Sequence, residues 1–305
     1  MELTIEPAAP FDFDLTAHYR TSYRKYFGNH EYVDGEYRQI VASSDKVALA
    51  CVKSVGTLDR PKLKLTLRGD HPELWELAAR EVAWALGTDT SLSGFYALSR
   101  EDPPLNTYVQ QLYGLHPTRN TSLFETIVLA ITGQQIAAGV AHAIRGLVVQ
   151  EFGRPVVIDG ESYNLFPTPE ALAEAGVTGL RAVKLSTRKA EYIVELASRV
   201  ASGDLDLEAC RGLPSADADE LLLGLRGIGK WTVQWLKITA MDYPDAFPSG
   251  DLALRRFISH LYMDGSPLDE SAVEDFSRRW QDHRTLVTVY LFAAARMGLL
   301  NTRKG

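Results

Sequence analysis

The chain has 305 residues and a net charge of −7, and its composition already excludes several classes of protein. Hydrophobic residues make up 46% of the chain and charged residues 23%, which is typical of a folded globular protein and excludes wholesale disorder. This length allows two domains, or three small ones, each with its own core. The two cysteines, Cys51 and Cys210, belong to no CxxC pair, so the chain cannot supply a Cys-rich zinc site or ligate an iron–sulfur cluster.

Charge is distributed unevenly along the chain. Residues 1–180 hold 15 basic and 22 acidic side chains, whereas residues 181–305 hold 17 of each. The overall acidity argues against binding to polyanions over a broad surface, so we expect any such surface to be local and to lie mainly in the C-terminal half. The acidic first residues and the lack of any long apolar run predict neither a signal peptide nor a membrane span, and we therefore expect a cytoplasmic protein.

Residues 1–113 predict a small α+β domain. Residues 62–67 alternate between polar and apolar side chains, as a half-buried strand does, and residues 46–53 and 36–42 are also rich in strand-forming residues. In residues 71–87 the apolar side chains follow helical spacing, with Pro72 in the first turn and Gly87 at the end. We therefore predict an antiparallel sheet covered by one long helix.

Residues 114–305 predict an all-α region, because almost every segment beyond residue 113 has helical periodicity. The predicted helices cover residues 122–152, 168–175, 187–201, 216–223, 230–241, 252–262, 271–280 and 285–297. Glycine and proline separate these segments, and one short β-rich piece at residues 155–158 interrupts them. The absence of a sequence repeat argues against a solenoid, and we expect two helical lobes.

Residues 221–236, with the sequence LLLGLRGIGKWTVQWL, predict a helical hairpin. Gly227 and Gly229 flank Ile228, which allows a sharp turn with Ile228 packed inward. The backbone amides that open the second helix are then unpaired and can bind phosphate, and Lys230 adds a positive charge beside them. This arrangement would hold a nucleic-acid backbone without reading its sequence. A plain corner between two helices is the alternative interpretation.

Residues 246–257, with the sequence AFPSGDLALRRF, contain the strongest candidate for a catalytic residue. Asp251 directly precedes an amphipathic helix, where aspartate is most often an N-cap, and Arg255 four residues later could pair with it. A carboxylate at the start of a helix keeps its negative charge, which suits an electrostatic stabiliser better than a proton donor. Capping and catalysis are therefore compatible roles for Asp251.

The two segments together resemble the helix-hairpin-helix DNA glycosylase superfamily. Its hairpin carries glycine, a hydrophobic residue and glycine, as LRGIGKWT does at residues 225–232, and its catalytic aspartate follows a proline, as in FPSGDLALRR at residues 247–256. Residues 124–136 and 185–192 are similar to segments of the DNA-3-methyladenine glycosylase II branch. The α+β region predicted at residues 1–113 is like the extra domain found in this branch. The resemblance covers nearly the whole chain.

The resemblance implies a role for each matching residue. Asp251 would be the catalytic carboxylate, and the DNA backbone would be bound by the hairpin residues Arg226, Gly227, Ile228, Gly229 and Lys230. Gln135, with Ile136 as its neighbour, would fill the gap that an extruded base leaves. The base would stack against Trp231 and Trp235, which share a helix face, with Tyr19 and Phe292 as further aromatic contacts. Ordinary core packing is the alternative for both tryptophans.

The resemblance also implies a reaction. Relatives that cut the DNA strand carry a nucleophilic lysine two residues after the second hairpin glycine, where this chain has Trp231. We therefore expect a monofunctional hydrolase that removes alkylated bases, such as 3-methyladenine and 7-methylguanine, from duplex DNA. A helix-hairpin-helix protein that only binds DNA and a bifunctional glycosylase/lyase for oxidised bases are the alternatives.

Expectations about cofactors and partners follow from the same resemblance. No cofactor is expected and no side-chain metal site, although a structural monovalent cation could be held by the hairpin carbonyls. Damaged double-stranded DNA is the expected partner, so a bacterial protein of this kind would associate with the nucleoid when bound to DNA. We expect a monomer with no contact to a membrane.

Overall fold

The computed structural model describes residues 2–22 and 30–301, and an N-terminal antiparallel sheet precedes a series of helices in it. The strands are β1 (Leu3–Ile5), β2 (His30–Val33), β3 (Glu36–Ser43), β4 (Lys46–Ser54) and β5 (Leu63–Arg68), with β6 (Arg154–Ile158) and β7 (Glu161–Leu165) forming a separate hairpin. The helices of the first part are α1 (Phe13–Thr21), α2 (Trp75–Ala85), α3 (Ser93–Arg100) and α4 (Pro103–Gln111).

The remaining helices follow the domain boundary that we predict at residue 113. They are α5 (Leu123–Gly133), α6 (Ala138–Phe152), α7 (Pro169–Ala182), α8 (Thr187–Ala201), α9 (Ser215–Leu223), α10 (Lys230–Leu236), α11 (Leu252–Tyr262), α12 (Glu270–Ser277) and α13 (Arg284–Arg296). Short 3₁₀ segments lie at Pro72–Leu74, Glu208–Gly212 and Arg278–Trp280. No helix of the described residues is long and apolar enough to cross a membrane.

The five-stranded sheet has the order β1-β5-β4-β3-β2, and all of its neighbouring strands are antiparallel. Alternate side chains of β3 and β4 point to opposite faces. One face, with Tyr37, Val41 and Val52, packs on α2, and the other face, with Leu49, packs on the β6–β7 hairpin through Ile158. The sheet is thus covered on both faces, which explains why β3 and β4 contain runs of buried residues.

The prediction of an antiparallel sheet with a helix on it is confirmed, but the helix content of residues 1–113 was underestimated. The three predicted strands correspond to β3, β4 and β5 within one or two residues at each end. Three further helices, α1, α3 and α4, were missed, and so were the short edge strands β1 and β2. Strands of three and four residues at a sheet edge carry too few side chains for a periodic signal.

Two hydrophobic clusters divide the helices into two lobes, as expected. The first lobe consists of α5–α10 and buries Ile127, Leu180 and Ile228 among others. The second consists of α11–α13 together with α3 and α4, and buries Phe95, Leu254 and Tyr290. Thus the last two helices before residue 113 pack in the C-terminal lobe, although a domain boundary at that residue stays a prediction.

Three predicted helices differ from the structure in ways that matter for the site. Residues 122–152 form two helices, because the backbone leaves the helical region at Gln134 and takes a positive φ of 54° at Gln135. The segment predicted at 168–175 continues to residue 182 across a kink at Gly176. The segment predicted at 230–241 is α-helical only to Leu236, and Lys237–Met241 forms a π-helical turn. Such turns are frequent near functional sites.

Arg119 fastens the N-terminal domain to the helical region. It is buried, forms ion pairs with Asp89 at 3.0 Å and Asp242 at 2.9 Å, and its guanidinium lies 4.8 Å from the centre of the Trp84 ring. The guanidinium of Arg211, from the first lobe, lies 5.1 Å from the same ring. The junction is therefore polar and tightly paired rather than a loose linker.

Candidate active site and nucleic-acid interface

Asp251 caps α11 and also accepts a hydrogen bond from a tryptophan. Its Oδ1 accepts from the backbone amides of Ala253 at 2.9 Å and Leu254 at 3.1 Å, which is the N-cap arrangement. Its Oδ2 accepts from the indole Nε1 of Trp231 at 2.8 Å. The partial positive charge of the helix N-terminus and these three donors complement the negative charge of an aspartate carboxylate.

Arg255 does not pair with Asp251. Its guanidinium donates instead to the backbone carbonyl of Leu268, and only its backbone amide bonds to the Asp251 carbonyl, as an ordinary helical bond. The sequence-based suggestion of an i,i+4 ion pair was therefore wrong. No cationic side chain of α11 therefore forms an ion pair with the Asp251 carboxylate.

The loop that leads to Asp251 is held by side chains that the sequence analysis did not single out. Gln234 Oε1 on α10 accepts from the amide of Phe247 at 2.9 Å, and Thr285 Oγ1 accepts from the amide of Ala246 at 3.1 Å. Arg284 holds Asp245 through two hydrogen bonds of 2.9 and 2.6 Å. Helices α10 and α13 therefore fix the position of this loop, and with it the position of Asp251.

An aromatic wall lies beside the carboxylate. The rings of Trp231 and Trp235 meet edge to face at 6.2 Å, Trp235 meets Phe292 at 5.0 Å, and Phe292 meets Phe257 at 5.3 Å. Trp231 is 45% exposed, so the alternative of ordinary core packing does not hold for it. Trp235 is only partly buried, and its indole nitrogen is buried without a hydrogen-bond partner among the described residues.

Tyr19, the fourth aromatic residue that the resemblance singles out, is buried. It is 9% exposed and belongs to the core of the second lobe, and the Arg296 guanidinium lies 4.5 Å from the centre of its ring. The structure thus joins Trp231, Trp235 and Phe292 through ring contacts and buries Tyr19 in the hydrophobic cluster against which Trp235 and Phe292 also pack.

The hairpin has the backbone geometry that its glycines predict. Gly227 has φ of +85°, in the left-handed region, and a Cβ at this position would overlap the ring of Tyr192. Ile228 packs inward and is 7% exposed. Gly229 is the N-cap of α10, no side chain caps the helix, and nothing lies within 4 Å of the place where its Cβ would be. The first amides of α10 are therefore not occupied by a capping side chain.

The two basic residues of the hairpin differ in their surroundings. Lys230 is exposed at the start of α10, and no ion pair involves it among the described residues. Arg226 is also exposed, but it forms an ion pair with Glu195 at 2.7 Å and its guanidinium lies 5.3 Å from the centre of the Tyr192 ring. Lys230 can therefore bind a phosphate directly, whereas Arg226 would first have to break its ion pair with Glu195.

The expected wedge residues lie on a turn that contacts the hairpin. Gln135 and Ile136 are exposed in the link between α5 and α6, residues 134–137, which we call the wedge turn. Gln134, which the sequence analysis passed over, donates its side-chain amide to the carbonyl of Gly227 at 2.8 Å. Two separately predicted DNA-contacting elements are thus adjacent, although 93 residues separate Gln134 from Gly227 in the sequence.

A large cleft runs beside α10 and includes Trp231. It has a volume of about 1120 Å³ and is lined by Lys230, Trp231, Gln234 and Lys237 and by the loop that leads to Asp251. Trp235 and Phe292 do not line it. Most of its charges are paired within the protein, as Lys237 is with Asp219. Trp231 therefore borders both the cleft and the candidate site, which we assign to Asp251 and the aromatic wall.

The described residues contain no cluster of three or more His, Cys, Asp or Glu side chains that could hold a metal ion. The hairpin carbonyls offer a different kind of ligand. Leu225 and Gly227 each accept one hydrogen bond, from Ile228 N and from Gln134 Nε2, and a carbonyl oxygen has a second lone pair. The hairpin could therefore still hold a monovalent cation through its main chain.

Comparison with known proteins agrees with this geometry. Residues 128–282 match the HhH-GPD superfamily of base excision DNA repair proteins. The chain is 32% identical to a DNA-3-methyladenine glycosylase of Bacillus subtilis strain 168 over 67% of each chain, and 26% identical to DNA-3-methyladenine glycosylase 2 of Escherichia coli strain K12 over 55% of this chain and 56% of that one. Among solved structures, a 3-methyladenine DNA-glycosylase from Archaeoglobus fulgidus superimposes with a TM-score of 0.84 at 26% identity, covering 98% of this chain and 100% of that one.

Proposed function

Because the chain belongs to the HhH-GPD superfamily of base excision DNA repair proteins, we propose that it is a monofunctional DNA-3-methyladenine glycosylase. It would hydrolyse the bond between an alkylated base and its deoxyribose in duplex DNA, releasing the free base and leaving an abasic site. The names of its relatives support 3-methyladenine as a substrate. We include 7-methylguanine in the proposal because it is a methylated, cationic purine of the same kind. The observation that carries the proposal is the hydrogen bond between Trp231 and Asp251, at the junction of the aromatic wall and the hairpin.

The chemistry suits an ionised aspartate. A purine methylated at N3 or N7 is cationic and is already a good leaving group, so it needs little help from a general acid. As its bond to C1′ breaks, the sugar gains oxocarbenium character. A carboxylate held by Ala253, Leu254 and Trp231 would stabilise that positive charge and orient the attacking water.

The aromatic wall suits a cationic base. An electron-poor, positively charged purine is attracted to the faces of Trp231 and Trp235, and such contacts contribute about 1–2 kcal/mol when they are removed from water. Before it can reach them the nucleotide must rotate out of the duplex, which costs a few kcal/mol and less for damaged pairs. We propose that Phe292 completes the wall and that Gln135 and Ile136 fill the vacated position in the duplex.

The residue at the position of the strand-cutting nucleophile supports hydrolysis alone. Trp231 stands two residues after Gly229, and its indole nitrogen is committed to Asp251. An indole cannot form the Schiff base that a lysine forms with the sugar. Lys230 is one residue away, about 100° around the helix, and is exposed in the first turn of α10. We therefore propose that no covalent enzyme–DNA intermediate forms.

The hairpin would hold the DNA backbone. The uncapped amides at the start of α10 and the ammonium group of Lys230 offer donors and charge to a phosphate. A monovalent cation on the carbonyls of Leu225 and Gly227 would add further positive charge at this position. The partner is double-stranded DNA carrying an alkylated base, and a monomeric state and a cytoplasmic location stay predictions.

One experiment tests this proposal against its alternatives. The protein is incubated with duplex DNA treated with a methylating agent, and the released bases are separated by chromatography. Release of 3-methyladenine and 7-methylguanine supports the proposal, whereas tight binding without release would mean a protein that only binds DNA. Borohydride is added to a parallel sample, and a trapped covalent adduct would instead mean a bifunctional glycosylase/lyase.

A further inference from the structure

One side chain ties the wedge turn to the hairpin. Gln134 Nε2 donates to the Gly227 carbonyl at 2.8 Å, and the Gln134 side chain is only partly exposed. The bond reaches across the two elements that the proposed function places on the DNA. A side-chain amide that bonds to a second loop helps to fix the relative position of the two loops, provided that its own backbone is fixed as well.

Lys189 fixes that backbone. Its ammonium group donates to the carbonyl of Thr132 at 2.9 Å and to the carbonyl of Gln134 at 2.6 Å, which closes the C-terminal end of α5. Burial and the neighbouring charge of Arg145 lower the pKa of Lys189. Lys189 lies three residues before Tyr192, whose ring packs against Gly227. Helix α8 therefore contacts the wedge turn and the hairpin through adjacent turns.

The residue that this arrangement presents is held in an unfavourable conformation. Gln135 has φ of +54°, a left-handed conformation that costs a residue with a side chain about 1 kcal/mol or more. Its side chain is exposed beyond the end of α5. Such a conformation persists only where the neighbouring residues fix it, and Gln134 is held at both its side chain and its carbonyl.

We propose that Gln134 is a positioning residue for base extrusion. Its bond to Gly227 makes the wedge turn and the hairpin one unit, so that a phosphate held at the hairpin places Gln135 where it can replace the extruded base. Without the bond, each loop would contact DNA but residue 135 would no longer be placed by the hairpin. This inference rests on the proposed function, and it adds a residue that acts through Gln135 rather than on the substrate.

The test compares two substrates that differ only in the cost of extrusion. Gln134→Met keeps the length of the side chain but cannot donate to Gly227. Single-turnover base release is measured from a fully paired lesion and from the same lesion opposite an abasic-site analogue, where extrusion is easier. We expect a loss of about fivefold on the paired lesion, as for one lost hydrogen bond, and a much smaller loss on the unpaired one.

Gln111→Met is the matched control, because Gln111 also donates its side-chain amide to a backbone carbonyl at 2.9 Å, that of Thr107, but within α4. It should release both substrates at the wild-type rate. Gln134→Glu provides a second variant whose carboxylate cannot donate to Gly227 when ionised but can when protonated. Its rate on the paired lesion, relative to wild type, should therefore recover as the pH falls.

A double-mutant cycle separates positioning from a general loss of stability. If Gln134 acts through residue 135, then Gln134→Met should cost little in a Gln135→Ala background. Equal losses on the two substrates, additive effects in the cycle, or an unchanged rate on the paired lesion would each overturn the proposal. Failure of the proposed function looks different, because the wild-type protein would then release no alkylated base from either substrate.

Discussion

The indole nitrogen of Trp231 donates to Oδ2 of Asp251 at 2.8 Å, and this bond joins the aromatic wall to the candidate catalytic carboxylate. The other oxygen of Asp251 is occupied by the amides of Ala253 and Leu254. The carboxylate is therefore oriented by two elements, α10 and α11. A side chain held from two directions loses little orientational freedom when substrate arrives, which is what electrostatic catalysis requires.

Trp231→Phe removes the donor and keeps an aromatic ring. We expect the rate of base release at saturating enzyme to fall about tenfold, the cost of one hydrogen bond to a charged acceptor, because Asp251 loses one of its three donors. Binding to damaged duplex should change less, since the phenyl ring still stacks. Single-turnover rates and binding constants measured on the same oligonucleotide distinguish the two effects, and a loss in binding alone would contradict an orienting role.

Lys230→Ala should weaken binding to damaged and undamaged duplexes by similar factors. A phosphate contact carries no sequence information, and losing one should reduce the slope of log K against log salt by about one unit. Lys62→Ala, which removes an exposed lysine just before β5 in the N-terminal domain, is the control and should leave the slope unchanged. An unchanged slope for Lys230→Ala would remove Lys230 from the DNA interface.

The two hairpin glycines should respond differently to alanine. Gly227→Ala places a Cβ against the ring of Tyr192 at a positive φ, so it should lower the free energy of unfolding by about 1–3 kcal/mol. In Gly229→Ala the added Cβ lies in open space at a φ of −111°, so the stability of the protein should be kept. DNA binding should fall, because the new methyl group lies beside the amides that we propose bind phosphate. Thermal unfolding and binding titrations of both variants check this contrast. Equal losses of stability in the two variants would contradict the prediction that only Gly227 is required for the fold.

Glu81 should make the stability of the protein depend on pH. Burial raises the pKa of this carboxyl to about 7, against the opposing effects of the Gln39 amide and nearby arginines. The folded state therefore binds the proton more tightly than the unfolded state does, and stability falls as pH rises from about 4.5 to about 7. Glu81→Gln should remove this dependence and stabilise the protein at pH 8 by about 3 kcal/mol. Unfolding free energies of both proteins at pH 5 and pH 8 provide the check.

The elements that the sequence predicted well are those with a long periodic signal. The strand at residues 62–67 alternates strictly, and the β5 strand appears there, shifted by one residue. The short strand β1 has three residues and pairs with β5 only in the folded sheet, so no local sequence pattern predicts it. Helices α3 and α4 were missed as well, although Pro103 and Pro104 stand in the first turn of α4, where proline is favoured.

The site shows the same division between local and long-range information. Gly227, Ile228 and Asp251 adopt the conformations that their local motifs predict. The bond from Gln134 to Gly227 spans 93 residues, and nothing near Gln134 in the sequence indicates its partner. A glutamine repeated in a Gly-Gln-Gln turn was the available signal, but it could not show which of the two side chains faces the hairpin.

Asp251→Asn is the variant on which the account depends most. Asparagine is as good an N-cap as aspartate, so the fold and the thermal stability should be kept, whereas Asp251→Ala should lose about 1 kcal/mol. The Asp251→Asn side chain has no negative charge to place beside the sugar. The variant therefore separates the capping role of residue 251 from its electrostatic role.

The most direct measurement is the single-turnover rate of 7-methylguanine release from duplex DNA by the wild-type protein and by Asp251→Asn at the same thermal stability. We predict a rate at least about a hundredfold lower for the variant, the usual cost of losing a preorganised electrostatic group in an active site. A folded Asp251→Asn protein that releases the base at close to the wild-type rate would contradict the central claim.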